Sequence, residues 1–395
     1  MRLLTVAAVL FSFSGYAGII NYHVDADSPA PPGTADGLSW ATAFPRLQEA
    51  LALAQGADEI WVAAGHYYPS DDPNDRAASF VLPDGVMLFG GFDGTESSCE
   101  ERMPDAHPTV LHGDIARDDG PGAFENAANN CYHVVTVVDA GSPLTRVDGF
   151  TIAGGHARSS LLGDYVKGGG MYLEAATLTV ANCVFTGNTA QHNGGAVYSE
   201  DSALTVTDCF FTGNESDGLG ACVAVFPDDD EFNTALLTVT RCRFEQNGGN
   251  CAVSAQQAEV AVAQSFFIDN EGGALAVPDL VVADVRNCVF SGNAGMNGVF
   301  YVGKRSEATL THCTLARNQV TDLVLISEGH IRTAATVVNS ILWNEETPPV
   351  SYEPAESDLT LERRILPGGV AGGGNLDAAP RLRSVAPPRQ PNWDS

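Results

Sequence analysis

Lysine is almost missing from this chain: Lys167 and Lys304 are the only two, and Lys plus Arg number 20 against 49 Asp plus Glu. The resulting net charge of −29 repels phosphate backbones and anionic lipid, so no nucleic-acid partner is expected. Long apolar runs are missing as well. Met1 and Arg2 followed by Leu3 to Phe13 and the small-residue exit Gly15-Tyr16-Ala17 read as a signal peptide over residues 1–17, too short for a membrane anchor. No later stretch qualifies, so the expected product is secreted or held at the cell surface, with no transmembrane segment. Fixed metal-ligand spacing is a further absence. Asp71-Asp72 and Asp228-Asp229-Asp230-Glu231 carry the charge to attract Ca2+ without a ligand pattern, so no cofactor and no defined metal site are expected.

What the chain has in quantity is glycine, 41 residues, and an internal repeat. Leu178 to Asn188 (LTVANCVFTGN) recurs as Leu204 to Asn214, Leu237 to Asn247, Val260 to Asn270, Ala283 to Asn293 and Ala308 to Asn318, with Ala335 to Glu345 as a degraded copy. The closing asparagines lie 26, 33, 23, 23 and 25 residues apart, which suits one turn of a β-solenoid. The fold class expected is all-β, a single right-handed parallel β-helix with a short N-terminal capping helix.

Alternation within each copy sets which side chains face in. Leu178 and Val180 point one way; after a bend near Ala181, Cys183 and Phe185 point inward. Stacking at about 4.8 Å then builds one column of Cys183, Cys209, Cys242, Ser265, Cys288, Cys313 and Ser340, and another of Phe185, Phe211, Phe244, Phe267, Phe290, Leu315 and Leu342. The closing asparagines suit a left-handed turn and a hydrogen-bonded ladder from coil to coil. Gly-Gly pairs such as Gly168-Gly169 and Gly194-Gly195 suit the sharp turn into the next strand.

Upstream, Leu47, Ala50, Leu51 and Ala54 fall at helical spacing and supply the cap. Strand-like runs at Ile60 to Ala64, Phe80 to Phe92, Thr109 to Ile115, His133 to Val138 and Val147 to Ile152 form less regular first coils. The expected division is thus 1–17 leader, 18–145 cap and irregular coils, 146–345 regular repeats, and 346–395 a closing segment with a Pro- and Arg-containing tail.

Ser39-Trp-Ala-Thr-Ala-Phe44, Asp58-Glu-Ile-Trp-Val-Ala-Ala-Gly65, Gly90-Gly-Phe-Asp-Gly94, Asp148-Gly-Phe-Thr-Ile152 and the repeats together resemble the secreted bacterial right-handed β-helix proteins of the pectate-lyase-like superfamily. The pairing of Phe-x-x-Asn with Gly-Gly-Ala-apolar is similar to the repeats of chlamydial polymorphic outer-membrane proteins, a resemblance that implies adhesion. Gly372 to Pro380 resembles a closing segment that in such proteins continues toward a surface-anchoring region. The superfamily resemblance also implies polysaccharide lyases and hydrolases, but their catalytic segments are not recognisable: Asn188-Thr189-Ala190 breaks the Asn-Thr-Asp of the hydrolases. The densest polar group, His112, Asp114, Arg117, Asp118 and Asp119, reads as a solvated loop.

Three sets of candidate residues follow. Residues between the inward Cys and Phe point out and form the column Val184, Phe210, Arg243, Phe266, Val289, Thr314 and Ile341; its apolar members are read either as covered by the long connections or the segment from Thr347 onward, or as a docking surface for a partner. Tyr172, Tyr198 and Tyr301 share another outward column whose rings could stack on sugars. Cys99 and Cys131 are the disulfide candidate, whereas Cys222 and Cys251 read as stacked core thiols. The expected function is a non-catalytic scaffold that binds polysaccharide or surface protein through its lateral face, with a divergent polysaccharide lyase or hydrolase, or a structural spacer, as alternatives.

Overall fold

In the computed structural model, described for residues 18–31, 33–120, 126–160, 163–227, 235–295, 298–320, 322–326, 333–344, 350–351 and 357–362, every strand pairing is parallel. Residues 1–17 and most of the closing segment lie outside the described residues. The chain winds through three long sheets in turn: a first of 12 strands, a second of 10 and a third of 10, each with its neighbours one coil apart in sequence. One regular coil runs Thr177–Ala181 in the first sheet, Val184–Thr186 in the second and Val197–Glu200 in the third, and the next begins at Ala203–Thr207. This is a right-handed parallel β-helix.

Register explains why this sequence closes into coils. Leu178, Leu204, Leu237, Val260, Ala283, Ala308 and Ala335 sit directly above one another, and the alternate residues of the same strands face out. A slip of one residue in any strand would turn its apolar set outward, so each coil fixes the register of the next. Phe185, Phe211, Phe244, Phe267 and Phe290 form a continuous stack with ring centroids 4.7 to 4.8 Å apart, all fully buried. Leu315 and Leu342 continue the column.

The corner from first to second sheet is a single left-handed residue: Asn182, Asp208, Arg241, Gln264, Asn287, His312 and Asn339 have φ between +49° and +56°. Such a backbone costs a non-glycine residue about 1–2 kcal/mol. It is offset by hydrogen bonds that carry the ladder through the corner, as in Asn182 N–H to Thr207 O at 3.1 Å and Gln264 N–H to Arg286 O at 2.9 Å. The next side chain, Cys or Ser, then points in. The Cys183 thiol donates to Ala181 O and the Ser265 hydroxyl to Ala263 O, so either residue satisfies the same inward slot.

The asparagine ladder forms, although the left-handed residue is not the asparagine. Gly187, Gly213, Gln246, Asp269, Gly292 and Arg317, each one position earlier, take positive φ. That residue makes the bend, which frees the asparagine to turn its amide inward. Asn214 Nδ2 donates to Phe185 O at 2.9 Å and to Asn247 Oδ1 at 3.1 Å, while its Oδ1 accepts from Asn188 N–H and Nδ2. A fully buried amide is thereby satisfied on both ends.

The cap is the helix Leu47–Leu51, whose Leu47, Ala50 and Leu51 are buried against the first coils. Phe80 to Phe92 divides into Phe80–Val81 in the third sheet and Met87–Phe92 in the first. At the far end Ser357–Glu362 joins the edge of the first sheet and Val350–Ser351 that of the third, and these described parts extend the coils instead of folding back over them.

Two substitutions test this core by urea denaturation. Phe244→Ala is expected to cost about 3–5 kcal/mol. Asn247→Ala, which strips the acceptor from two N–H groups of Asn214, is expected to cost about 1–3 kcal/mol. The exposed Thr238→Ala should stay within about 0.5 kcal/mol of the parent; equal effects at all three positions would refute the ladder as the organising element.

Candidate binding groove on the second sheet

The outward column of the second sheet is in register as expected, from Val184 through Phe210, Arg243, Phe266, Val289 and Thr314 to Ile341, and each member is half-buried. Its first four members line a groove of about 900 Å³ that runs along the helix axis across four coils. The segment Cys99 to Asp105 forms the wall at the N-terminal end, contributing Cys99, Glu100, Arg102, Pro104 and Asp105. Sequence reasoning did not anticipate this wall.

Its anchor is a buried carboxylate. Asp148, 1% exposed, accepts from Arg102 at 2.6 Å, from Arg146 at 2.5 Å and from Asn182 Nδ2 at 2.9 Å. Arg102 also donates to Gly90 O at 3.1 Å, and Pro104 packs where a Cβ on Gly91 would come within 2.7 Å. The excursion between the strands Met87–Phe92 and Thr109–His112 is thus fixed onto the solenoid and does not hang free.

The polar rim of the groove comes from the left-handed corner column, with Asn182, Asp208, Arg241 and Gln264 beside the apolar row. Asp208 accepts from Arg241 Nε at 2.7 Å and Nη2 at 2.6 Å, and that hydrogen bonding holds its carboxyl below the usual range. Arg243 donates to Glu245 at 2.6 Å. A glycosidase acid must hold a proton near neutral pH, which requires a raised pKa. Asp208 is tuned the opposite way.

The tyrosine column is differently placed. Tyr172 and Tyr198 are in register and point away from the main core, but they are 4% and 3% exposed. They stack on each other at 5.9 Å, with Phe226 beyond at 6.1 Å and Lys167 lying 4.6 Å over the Tyr198 ring. Lys167 in turn pairs with Glu200 at 3.0 Å. The connection ahead of Met171–Glu174 therefore covers these rings, and the expected open sugar platform is not what they form. Tyr301 lies farther along the same column, in register with Ala276 and Leu325, and is half-buried.

All nine cysteines are free thiols. Cys99 packs beside the separate Trp61, Phe89 and Phe92 cluster, whereas Cys131 belongs to the main core and donates to His133 O at 3.2 Å. Two different packing environments hold the expected partners, so the Cys99–Cys131 disulfide is not formed. Burial pushes the Cys131 thiol up to about 12 and that of Cys251 to about 11. Cys222 and Cys251 do not stack as expected: Val223 is in register with Val253, so Cys222 meets Ala252 in the main core and Cys251 lies outside that cluster.

The polar group near His112 is more than a solvated loop. Asp114 is 5% exposed and accepts from the Asp118 and Asp119 N–H groups, and His112, Asp114 and Asp119 bring one ligand atom each within 4.8 Å of one another. Arg117 leaves the group, pairing with Asp71 at 3.1 Å. Asp119 Oδ1, Asn129 Oδ1 and Asn130 Oδ1 are buried there with no hydrogen-bond partner.

Residues 128–279 match a family model described as the right handed beta helix region, the class of protein that the three parallel sheets define. Among solved structures, the chain is similar to XylC in complex with xylose at 10% identity, over 92% of this chain and 87% of that one, with a TM-score of 0.37. It is also similar to the tailspike protein gp49 of Acinetobacter baumannii bacteriophage Fri1, a capsular polysaccharide depolymerase, at 11% identity, over 93% of this chain and 65% of that one, with a TM-score of 0.29. No curated protein matches the chain. Among the described residues no helix is long and apolar enough to cross a membrane.

Two measurements check this chemistry. A thiol-reactive probe on the native chain should label Cys99 at most, and all nine cysteines after unfolding; fast native labelling of Cys209 or Cys242 would refute the inward column. His156, hydrogen-bonded to Thr189 Oγ1 at 2.8 Å, is pushed down from 6.5 to about 4 by burial and by Arg76 and Arg158. The unfolded chain binds this proton and the folded one does not, so its contribution to stability is complete above pH 6.5 and is lost as pH falls toward 4. Urea midpoints should drop over that window, with a smaller drop in His156→Gln.

Proposed function

We propose that this chain is a secreted or cell-surface β-helical scaffold that binds a polysaccharide, without turnover, in the groove along its second sheet. The observation that carries this reading is the row Val184, Phe210, Arg243 and Phe266, half-buried along an axial groove and rimmed by ion-paired arginines. An extended groove suits a chain ligand. Aromatic rings offer faces for sugar C–H groups, and fixed guanidinium and amide donors beside them suit hydroxyls.

Charge narrows the ligand. The groove is lined by Glu100, Asp105 and Asp208 against Arg102, Arg241 and Arg243, three of each sign, on a chain whose net charge is −29. A locally neutral site within a strongly acidic protein favours an uncharged glycan over a polyanion. Phe210 and Phe266 stand two coils apart, about 9.6 Å, which is close to the repeat of a twofold β-1,4-linked pyranose chain. The leader pattern of residues 1–17 supports export.

Calorimetric titration with neutral β-linked oligosaccharides tests the proposal. Phe210→Ala and Phe266→Ala should each weaken binding roughly 2- to 12-fold, the equivalent of about 0.5–1.5 kcal/mol. Equal affinity in both variants would move the ligand off this groove. Release of reducing ends or unsaturated sugars would replace the scaffold reading with the lyase or hydrolase alternative.

A further inference from the structure

We propose that the loop following the strand Thr109–His112 holds a calcium ion between Asp114, Asp119 and Asn130. Asn130 is fully buried and donates from Nδ2 to Asp119 Oδ2 at 2.8 Å and to Gly154 O at 2.8 Å, yet its Oδ1 has no partner. Asp119 Oδ1 is also buried with no donor, and Asn129 Oδ1 is a third such oxygen. These are three of the six buried side-chain N and O atoms without partners among the described residues, and the other three are serine hydroxyls in other coils. Acceptor oxygens gathered without donors are what a cation satisfies.

Charge points the same way. Among the described residues no arginine or lysine pairs with Asp114, Asp118 or Asp119. Arg76 is close but gives its guanidinium to the carbonyl oxygens of Asn130 and His156, and Arg117 turns to Asp71. A divalent ion would supply the missing counter-charge.

The donor set selects the ion. His112 Nδ1 accepts the Asp114 N–H at 3.0 Å, so the ring keeps its proton on Nε2 and stands as a wall, not a ligand. What remains is carboxylate and amide oxygen, the hard set that suits Ca2+ over Zn2+. Each Asp114 oxygen accepts one N–H and retains a lone pair. With few protein ligands and water completing the shell, affinity should fall at about 10⁻⁴–10⁻³ M, as in extracellular modules. The bound ion would clamp residues 114–119 to 129–130, across the inner end of the loop.

Tyr68 provides the optical handle, since its ring centroid is 6.0 Å from that of His112. On the full chain, Tb3+ should show tyrosine-sensitised luminescence that saturates at one site and is competed away by Ca2+. Asp119→Asn should weaken Ca2+ at least tenfold by calorimetry, with circular dichroism unchanged, whereas the exposed Glu307→Gln should bind as the parent does. Asn130→Asp adds an anionic oxygen and should tighten Ca2+ several-fold. Tyr68→Phe should dim the luminescence and leave the calorimetry intact. Non-saturating binding in the parent, the same isotherm for Asp119→Asn and Glu307→Gln, or weaker binding in Asn130→Asp would each overturn the site.

Discussion

Everything in this molecule depends on each coil hydrogen-bonding in parallel, in register, to the coil before it. The backbone ladders of three sheets supply most of that contact, but they are indifferent to a slip along the strand. Specificity comes from side chains that repeat at one place per coil. The buried asparagines act as a ruler: Asn214 reads Asn188 on one side and Asn247 on the other, so a shifted coil would orphan an amide at both. The phenylalanine stack alongside adds area without direction, with interplanar angles from 4° to 14°. Polar ladder and apolar stack do different jobs from adjacent positions.

A solenoid exposes the outside of the same strands that build its core, so its surface is as periodic as its interior. Local excursions break the monotony. The one between Met87–Phe92 and Thr109–His112 is tied by Arg102 to Asp148 and gives the second sheet a walled groove. The one ahead of Met171–Glu174 brings Lys167 over Tyr198 and closes what the register alone would have left open. Identical outward logic in two sheets therefore yields one groove and one covered cluster, and the difference lies wholly in the insertions.

That contrast marks where the sequence could be read and where it could not. Periodicity placed Phe185, Cys183 and Val184 correctly because in, out and in again is a property of the strand itself. It placed Tyr172 and Tyr198 in the right column and on the outward side, but burial by Lys167 and its loop depends on a connection with no repeat to read. Cys99 and Cys131 both lie in the irregular first coils, where no register says which side chains meet, and each packs in a different cluster. The left-handed residue falls at Gly187 and Gly213, one position before the asparagine that composition alone favours for such a turn. At the groove, the apolar row was legible, whereas the rim of Asp208 and Arg241 and the wall at Cys99 to Asp105 were not, since both arise from pairings between segments far apart in sequence.

The left-handed corner has an evolutionary consequence. Its backbone asks only that φ be positive, and Asn182, Asp208, Arg241, Gln264 and His312 all meet that demand while the inward neighbour is Cys or Ser. Apart from Asn182, which donates to the buried Asp148, the corner side chain is therefore nearly free of the fold, yet in four successive coils it sits on the lip of the groove. Selection can rewrite the recognition surface one coil at a time, as letters are changed on a fixed line of type, without touching the core that holds the line straight.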